Sequence, residues 1–372
     1  MRCVIDLDKI AFNTRQAAAR VNSLMAVVKA DGYGHGALPV AKTMLQNGAS
    51  SLAVAICEEA VQLWDAGIDA PILVLGYTPA PLMPEVIRRG ITQTVFHEAQ
   101  ARELSDAAVR LGKTVSVHIK IDTGMSRLGF MPNEEGVRKI LEVMSLPNLR
   151  TDGIYTHFAT SDEPASPFVY TQLERFRLVL GLLENFNVNL SKITVHIANS
   201  GAIINNSDVV FPVSRAGILL YGLPPANFAK VPFELRPAMS LVTKISYIKQ
   251  LPEGVGVSYA QTYVTKNPSV VATIPVGYAD GYPRNLSNRG KVIIGGEFAP
   301  IIGNICMDQL MVDVTDISKK VTLHAGDDVI LMGGAGGVSV TADDIADTVN
   351  TINYEIVCNI GKRVPRFYKG GA

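Results

Sequence analysis

Eight short apolar runs, each followed by a longer stretch of helical spacing, fill most of the first 216 residues and constrain the fold more than any other feature. They lie at 25–30, 51–56, 71–77, 92–96, 115–122, 151–157, 192–197 and 209–216. The intervening segments 58–66, 98–111 and 168–186 have helical spacing, and the first opens with acids and closes at Gly67. Apolar strands alternating with helices imply a parallel sheet covered on both faces. Eight repeats within the span of one domain predict an α/β fold, a (β/α)8 barrel of the TIM type, over an open doubly wound sheet.

The texture changes after about residue 232. Runs at 240–251, 254–260, 269–276, 291–294, 310–314 and 327–332 are alternating or β-branched and are joined by Gly, Pro, Asn and Asp turns. One last helix is expected over 341–360. The pattern predicts a mainly β second domain at 233–372, with the strand-like Cys3-Val4-Ile5-Asp6 of residues 1–10 added to it and the barrel at 11–232. Pro224-Pro225, Pro232 and Pro237 interrupt all periodicity between the two.

Composition narrows the function classes. The 372 residues are 48% hydrophobic with a formal net charge of zero, and no basic patch or aromatic ladder stands out, which argues against nucleic-acid and membrane-surface partners. No apolar run approaches the length of a membrane span, and Met1-Arg2-Cys3-Val4-Ile5-Asp6 lacks the apolar core of a signal peptide. Cys3, Cys57, Cys306 and Cys358 have neither metal nor disulfide spacing, so a reducing cytoplasm is expected.

Barrel enzymes carry their chemistry on the C-terminal ends of their strands. Lys29 ends the first run, Arg127 follows the fifth, His157 ends the sixth, Asn199 and Ser200 follow the seventh and Arg215 ends the eighth, so all should converge on one mouth. Two kinds of reading of Lys29 fit: a desolvated amine able to form a Schiff base with an aldehyde, or a plain lysine that snorkels or pairs with Asp31. Ser200 reads equally as a helix N-cap ahead of Gly201-Ala202-Ile203-Ile204. Gly333-Gly334-Ala335-Gly336-Gly337 lacks the strand-to-helix context of a phosphate loop and reads as a turn, and Cys306 reads as pocket packing.

The segment Val27-Val28-Lys29-Ala30-Asp31-Gly32-Tyr33-Gly34-His35-Gly36 resembles the cofactor-lysine motif of bacterial alanine racemases. The likeness continues through His118-Ile119-Lys120-Ile121-Asp122-Thr123-Gly124-Met125, Arg127-Leu128-Gly129-Phe130, Tyr155-Thr156-His157-Phe158-Ala159, Ala198-Asn199-Ser200, Arg215-Ala216-Gly217-Ile218, Val257-Ser258-Tyr259, Gly277-Tyr278-Ala279-Asp280-Gly281-Tyr282 and Ile305-Cys306-Met307-Asp308-Gln309. That family pairs a barrel binding pyridoxal 5'-phosphate with a C-terminal β-domain.

The resemblance implies roles. Lys29 would hold the cofactor and serve one face of the substrate's α-carbon, with Tyr259 serving the other; a tyrosine is a weak base unless a neighbour favours its phenolate, and His157 matches the family's partner. Arg215 would face the pyridine nitrogen, where most pyridoxal enzymes place a carboxylate, and His196 would bond Arg215. Tyr33, Ser200, the amides of Gly217 and Ile218, and Tyr354 would hold the phosphate, with Asn199 in support. Arg127 and the Met307 amide would bind the substrate carboxylate, Tyr278 and Tyr354 would gate the pocket, and Lys120 matches a lysine that the family often carbamylates. Ser126 stands where relatives commonly have glycine. The family's members are homodimers whose tyrosine comes from the partner, so a small amino acid would meet a composite site. A pyridoxal-dependent decarboxylase is the nearest rival, and Arg215 speaks against it; a non-catalytic cofactor carrier would be a barrel alone.

Overall fold

The computed structural model describes all residues except 164, 206–210, 226–230 and 372. Two compact units are present: residues 9–237, and residues 1–8 together with 238–372. The boundary falls after Pro237 rather than at 232, because Arg236 exchanges backbone bonds with the buried Asn13 side chain, Nδ2 donating to the Arg236 carbonyl at 2.9 Å and Oδ1 accepting its amide at 2.9 Å.

Strand β1 (Arg2–Asp6) belongs to the second unit. The first unit contains β2 (Leu24–Val27), β3 (Ala49–Val54), β4 (Ile72–Val74), β5 (Thr92–Val95), β6 (Val115–Lys120), β7 (Leu149–Tyr155), β8 (Thr194–His196) and β9 (Ser214–Ala216). All eight pair in parallel in the order β8-β7-β6-β5-β4-β3-β2-β9, and a single parallel bridge from His196 to Val213 joins the two ends of the sheet. The sheet is therefore the eight-stranded barrel expected, with helices between strands. The run at 209–216 is shorter than read: its strand begins at Ser214, and residues 209 and 210 lie outside the described residues. Strands such as β2 and β4 are buried at every position, which is why they read as unbroken apolar runs.

The second unit is built on a ten-stranded sheet. Besides β1, the strands of this unit are β10 (Met239–Lys244), β11 (Tyr247–Leu251), β12 (Gly256–Val257), β13 (Tyr263–Val264), β14 (Ser269–Ile274), β15 (Lys291–Ile294), β16 (Glu297–Ile302), β17 (Leu310–Asp313), β18 (Asp328–Ala335), β19 (Val338–Val340) and β20 (Arg366–Lys369). The path runs β11-β14-β17-β16-β15-β18-β10-β1-β20, with β19 on β18, and β12 and β13 form a separate pair. Three expectations are corrected. The run 240–251 is two strands, since β10 pairs with β18 and β1 whereas β11 pairs with β14. The single helix over 341–360 is two, Ala342–Val349 and Asn353–Cys358, broken where Asn350 enters the left-handed region at φ 60°. Strand β16 was not foreseen because Pro300 interrupts its pattern.

Candidate functional site

Lys29 does not end a strand. Strand β2 stops at Val27, and Lys29 opens a short turn whose next four residues, Ala30, Asp31, Gly32 and Tyr33, all have φ between 52° and 61°. Left-handed backbone costs about 1–2 kcal/mol for each residue with a Cβ, so this turn needs outside support. The support is visible: Asp31 Oδ1 accepts the Ala37 amide at 2.8 Å, Glu59 Oε1 accepts the Ala30 amide, and the Tyr33 ring lies 4.8 Å from that of buried Tyr221. The result is a half-buried lysine on a rigid loop at the C-terminal edge of the sheet.

Arg215, on β9, is buried with only uncharged acceptors around it. Its Nη1 donates to His196 Nδ1 at 2.6 Å, and Nη2 donates to the carbonyls of Thr156 at 2.7 Å and Ile197 at 3.1 Å and lies 3.2 Å from His157 Nδ1. Burial lowers the guanidinium to about 10, so it remains a cation at neutral pH. With Nδ1 accepting, His196 keeps its proton on Nε2, 2.9 Å from His118 Nδ1, and the chain of imidazoles orders the arginine.

Burial, then the charges of Arg215, Lys120, Arg127 and Lys29, hold the His157 imidazole well below its ordinary range. His196 is lowered in the same way by burial and Arg215, and burial brings His118 down to about 4. These imidazoles are neutral in the fold but titrate near 6.5 when unfolded, so acid favours the unfolded chain. Stability is full above about pH 6.5 and is lost as the pH falls toward 4, at up to about 1.4 kcal/mol per pH unit for each histidine. Urea unfolding of the barrel at about pH 7.5 and about pH 5 is expected to show a clearly lower midpoint in acid. Equal midpoints would mean that the imidazoles are not held neutral.

The loops after β8 and β9 form a cradle. Ser200 Oγ accepts the Gly217 amide at 2.9 Å, and a Cβ at Gly217 would collide with the Tyr33 hydroxyl. Ile218 begins the following helical turn, buried behind the cradle. Ser200 is not the N-cap: Asn199 fills that role, its Oδ1 accepting the Ala202 amide at 3.1 Å and the Ser161 hydroxyl at 2.6 Å, which leaves the Ser200 hydroxyl to the cradle.

Lys120 ends β6, its Nζ donating to the Ile121 carbonyl at 2.9 Å and lying 5.3 Å from the Tyr155 ring centre. Burial, with Arg215 next, lowers this amine to about 7. Arg127 is exposed on the loop that follows, where Asp122 Oδ1 accepts the amides of Gly124 at 3.0 Å and Ser126 at 2.9 Å. Ser126 has φ 56°, a left-handed conformation that favours glycine.

The remaining residues lie in the second unit. Tyr259 is not on a strand but on a tight turn, with Ser258 at φ 65° and Ala260 at φ 59°, and is 73% exposed. That turn is tied to residues 304–306 by Asn304 Nδ2 donating to the Tyr259 carbonyl at 2.8 Å and Ser258 Oγ donating to the Asn304 carbonyl at 2.5 Å. The same loop accepts the Tyr278 amide on Cys306 and the Ala279 amide on Met307, so exposed Tyr259, Tyr278 and Met307 share one loop cluster. Tyr354 stands half-buried on helix Asn353–Cys358. The predicted residues thus form two groups, one on each unit. Sequence reasoning missed the Thr156 and Ile197 carbonyls, which no side-chain pattern reveals, and Glu59, whose only signal was the acidic opening of its helix.

Two family models match the chain, "Alanine racemase, N-terminal domain" over residues 5–225 and "Alanine racemase, C-terminal domain" over 238–368. An alanine racemase of Clostridium perfringens is 48% identical over 373 residues, covering 98% of this chain and 94% of that protein. Among solved structures, the Bacillus anthracis alanine racemase with bound L-Ala-P superposes with a TM-score of 0.91 at 37% identity, covering 100% of this chain and 95% of the other. A Bartonella henselae alanine racemase described with covalently bound pyridoxal phosphate superposes with a TM-score of 0.87 at 31% identity, covering 99% of each chain.

Proposed function

The chain belongs to the alanine racemase family, and from that premise we propose that it interconverts L-alanine and D-alanine with pyridoxal 5'-phosphate, supplying D-alanine for peptidoglycan. The observation that carries the cofactor reading is Arg215, a buried cation surrounded by neutral acceptors where an acid would otherwise be expected. The barrel's cradle suits a phosphate: the Ser200 hydroxyl and the Gly217 amide lie 2.9 Å apart beside the Tyr33 hydroxyl, and an anion would take the place of their mutual bond, with the Ile218 amide and Tyr354 assigned to the same phosphate by the family resemblance and Asn199 bracing the turn. When bound, pyridoxal phosphate supplies an aldehyde carbon for amine attack and a conjugated ring that delocalises the charge left at the substrate's α-carbon.

Lys29 holds the cofactor and moves a proton at its Nζ on one face of that carbon; Tyr259 moves one at its Oη on the opposite face. Inversion requires this pair, because one base returns the proton to the side it came from. His157, kept neutral, would partner the tyrosine by hydrogen bond, as the family resemblance implies. Arg127 and the Met307 amide orient the substrate carboxylate, and Tyr278 limits the pocket to a small side chain. Lys120, with its amine near 7, is the candidate for carbamylation, its nitrogen attacking carbon dioxide with loss of a proton to leave an anion that orients Arg127. Members of the family resembled take this tyrosine from the partner subunit, and on that resemblance we read the working enzyme as a homodimer with two composite sites. No helix among the described residues is long and apolar enough to cross a membrane, and a cytoplasmic location accords with the cysteine pattern.

The test is a chiral assay of the purified protein with L-alanine, L-serine and L-lysine, with and without added pyridoxal phosphate. D-Alanine formation that depends on the cofactor is expected; its absence refutes the assignment. Arg215→Glu is expected to slow racemisation at least about 100-fold and to raise the share of transamination, because a carboxylate would keep the ring nitrogen protonated. An unchanged product ratio would mean that Arg215 faces something else.

A further inference from the structure

The left-handed turn after Lys29 is held by a carboxylate from the neighbouring βα unit. Glu59, half-buried on helix Cys57–Asp65, accepts the Ala30 amide on Oε1 at 2.5 Å and the amides of Ala55 and Ile56 on Oε2 at 2.8 Å and 3.4 Å. One carboxylate therefore joins the loop after β2 to the loop after β3. We propose that Glu59 is a positioning residue, which fixes the direction of Lys29 by clamping the Lys29–Ala30 peptide.

The reasoning is conformational. Ala30 at φ 53° and Asp31 at φ 52° have no intrinsic preference for this backbone, so the turn persists only where surrounding contacts determine it. Relaxing Ala30 into the right-handed region rotates the peptide that carries its N–H, which also changes ψ of Lys29 and so redirects the lysine. The Glu59 carboxylate opposes that rotation by holding the N–H. Tyr221 fixes the preceding side, donating its hydroxyl to the Val27 carbonyl at 3.1 Å, and the Gly36 amide closes the turn on the Asp31 carbonyl at 2.8 Å. Three backbone amides converge on the two oxygens of one carboxylate, an arrangement glutamine cannot reproduce because half of its terminal amide is a donor. A helix cap alone would account for the Ile56 contact and for nothing at Ala30.

The kinetic consequence rests on Lys29 being the reacting amine, and the backbone consequence does not. The experiment is hydrogen exchange by mass spectrometry on the intact cofactor-loaded protein and its Glu59→Gln and Glu59→Asp variants, with kcat and KM and with borohydride trapping of pyridoxal phosphate on Lys29. In Glu59→Gln, amides 30–36 are expected to exchange at least about 10-fold faster while those of β2 and β3 stay protected. A misdirected amine should lower kcat about 10-fold or more with KM within about threefold, while trapping on Lys29 persists. Glu59→Asp, whose reach is one methylene shorter, is read in the same way if Glu59→Gln does not fold. Faster exchange confined to residues 55–58 makes Glu59 a helix cap and overturns the proposal, as does faster exchange at 30–36 with kcat unchanged. Absence of trapping on Lys29 in the unsubstituted protein would instead overturn the role of Lys29 and leave the clamp to be judged by exchange alone.

Discussion

Lys29→Ala is expected to abolish racemisation, by at least about 10³-fold, because the variant loses both a covalent attachment point and a proton-transfer group. The fold should survive. Lys29 is half-buried on a loop held by backbone bonds, by Asp31 and Glu59 and by the packing of Tyr33 against Tyr221, which remain when the lysine side chain, whose Nζ lies 6.0 Å from the Tyr33 ring centre, is removed. Borohydride reduction in the presence of pyridoxal phosphate should add the cofactor's mass to the peptide containing residue 29 in the unsubstituted protein and to no barrel peptide in the variant. Retained activity without an added amine would remove Lys29 from its role.

The second large effect tests the shared site. Lys29→Ala and Tyr259→Phe should each be nearly inactive alone, yet unfolding and refolding them together should restore activity. If the tyrosine comes from the partner subunit, a mixed dimer has one site with both lesions and one with neither. Random pairing makes half of the dimers mixed, so about a quarter of all sites should be intact. If Tyr259 serves its own chain, every site keeps one lesion and nothing is regained. Failure to complement, with mixed dimers shown by mass spectrometry, refutes the composite site and leaves the Lys29 assignment standing.

What could be read from the chain, and what could not, follows from the range of the forces involved. The barrel was legible because a parallel strand buried on both faces must be apolar at each position, as 24–27 and 72–74 are. Helices must alternate with such strands to cover the sheet, so the order of elements is a local property repeated eight times. Polar residues just beyond those strands, such as His157 and Ser200, and Arg215 within the short last strand, were conspicuous against that background.

The chemistry of these residues depended on contacts across long stretches of sequence. Ser200 could have capped its own helix, and it was Asn199 taking that place that left its hydroxyl 2.9 Å from the Gly217 amide. Tyr259 reads as a strand residue, but its neighbours Ser258 and Ala260 are left-handed and the turn they make is tied to the loop at 304–306. The turn after Lys29 defeats any reading by propensity, since three of its four left-handed residues carry a Cβ and only one is glycine. Sequence by itself determined where the strands and the polar groups at their ends would fall, because burial and periodicity act residue by residue. Tertiary structure decided how those groups point, because a strained turn exists only where a distant carboxylate such as Glu59 and a packed ring such as Tyr221 offset its cost.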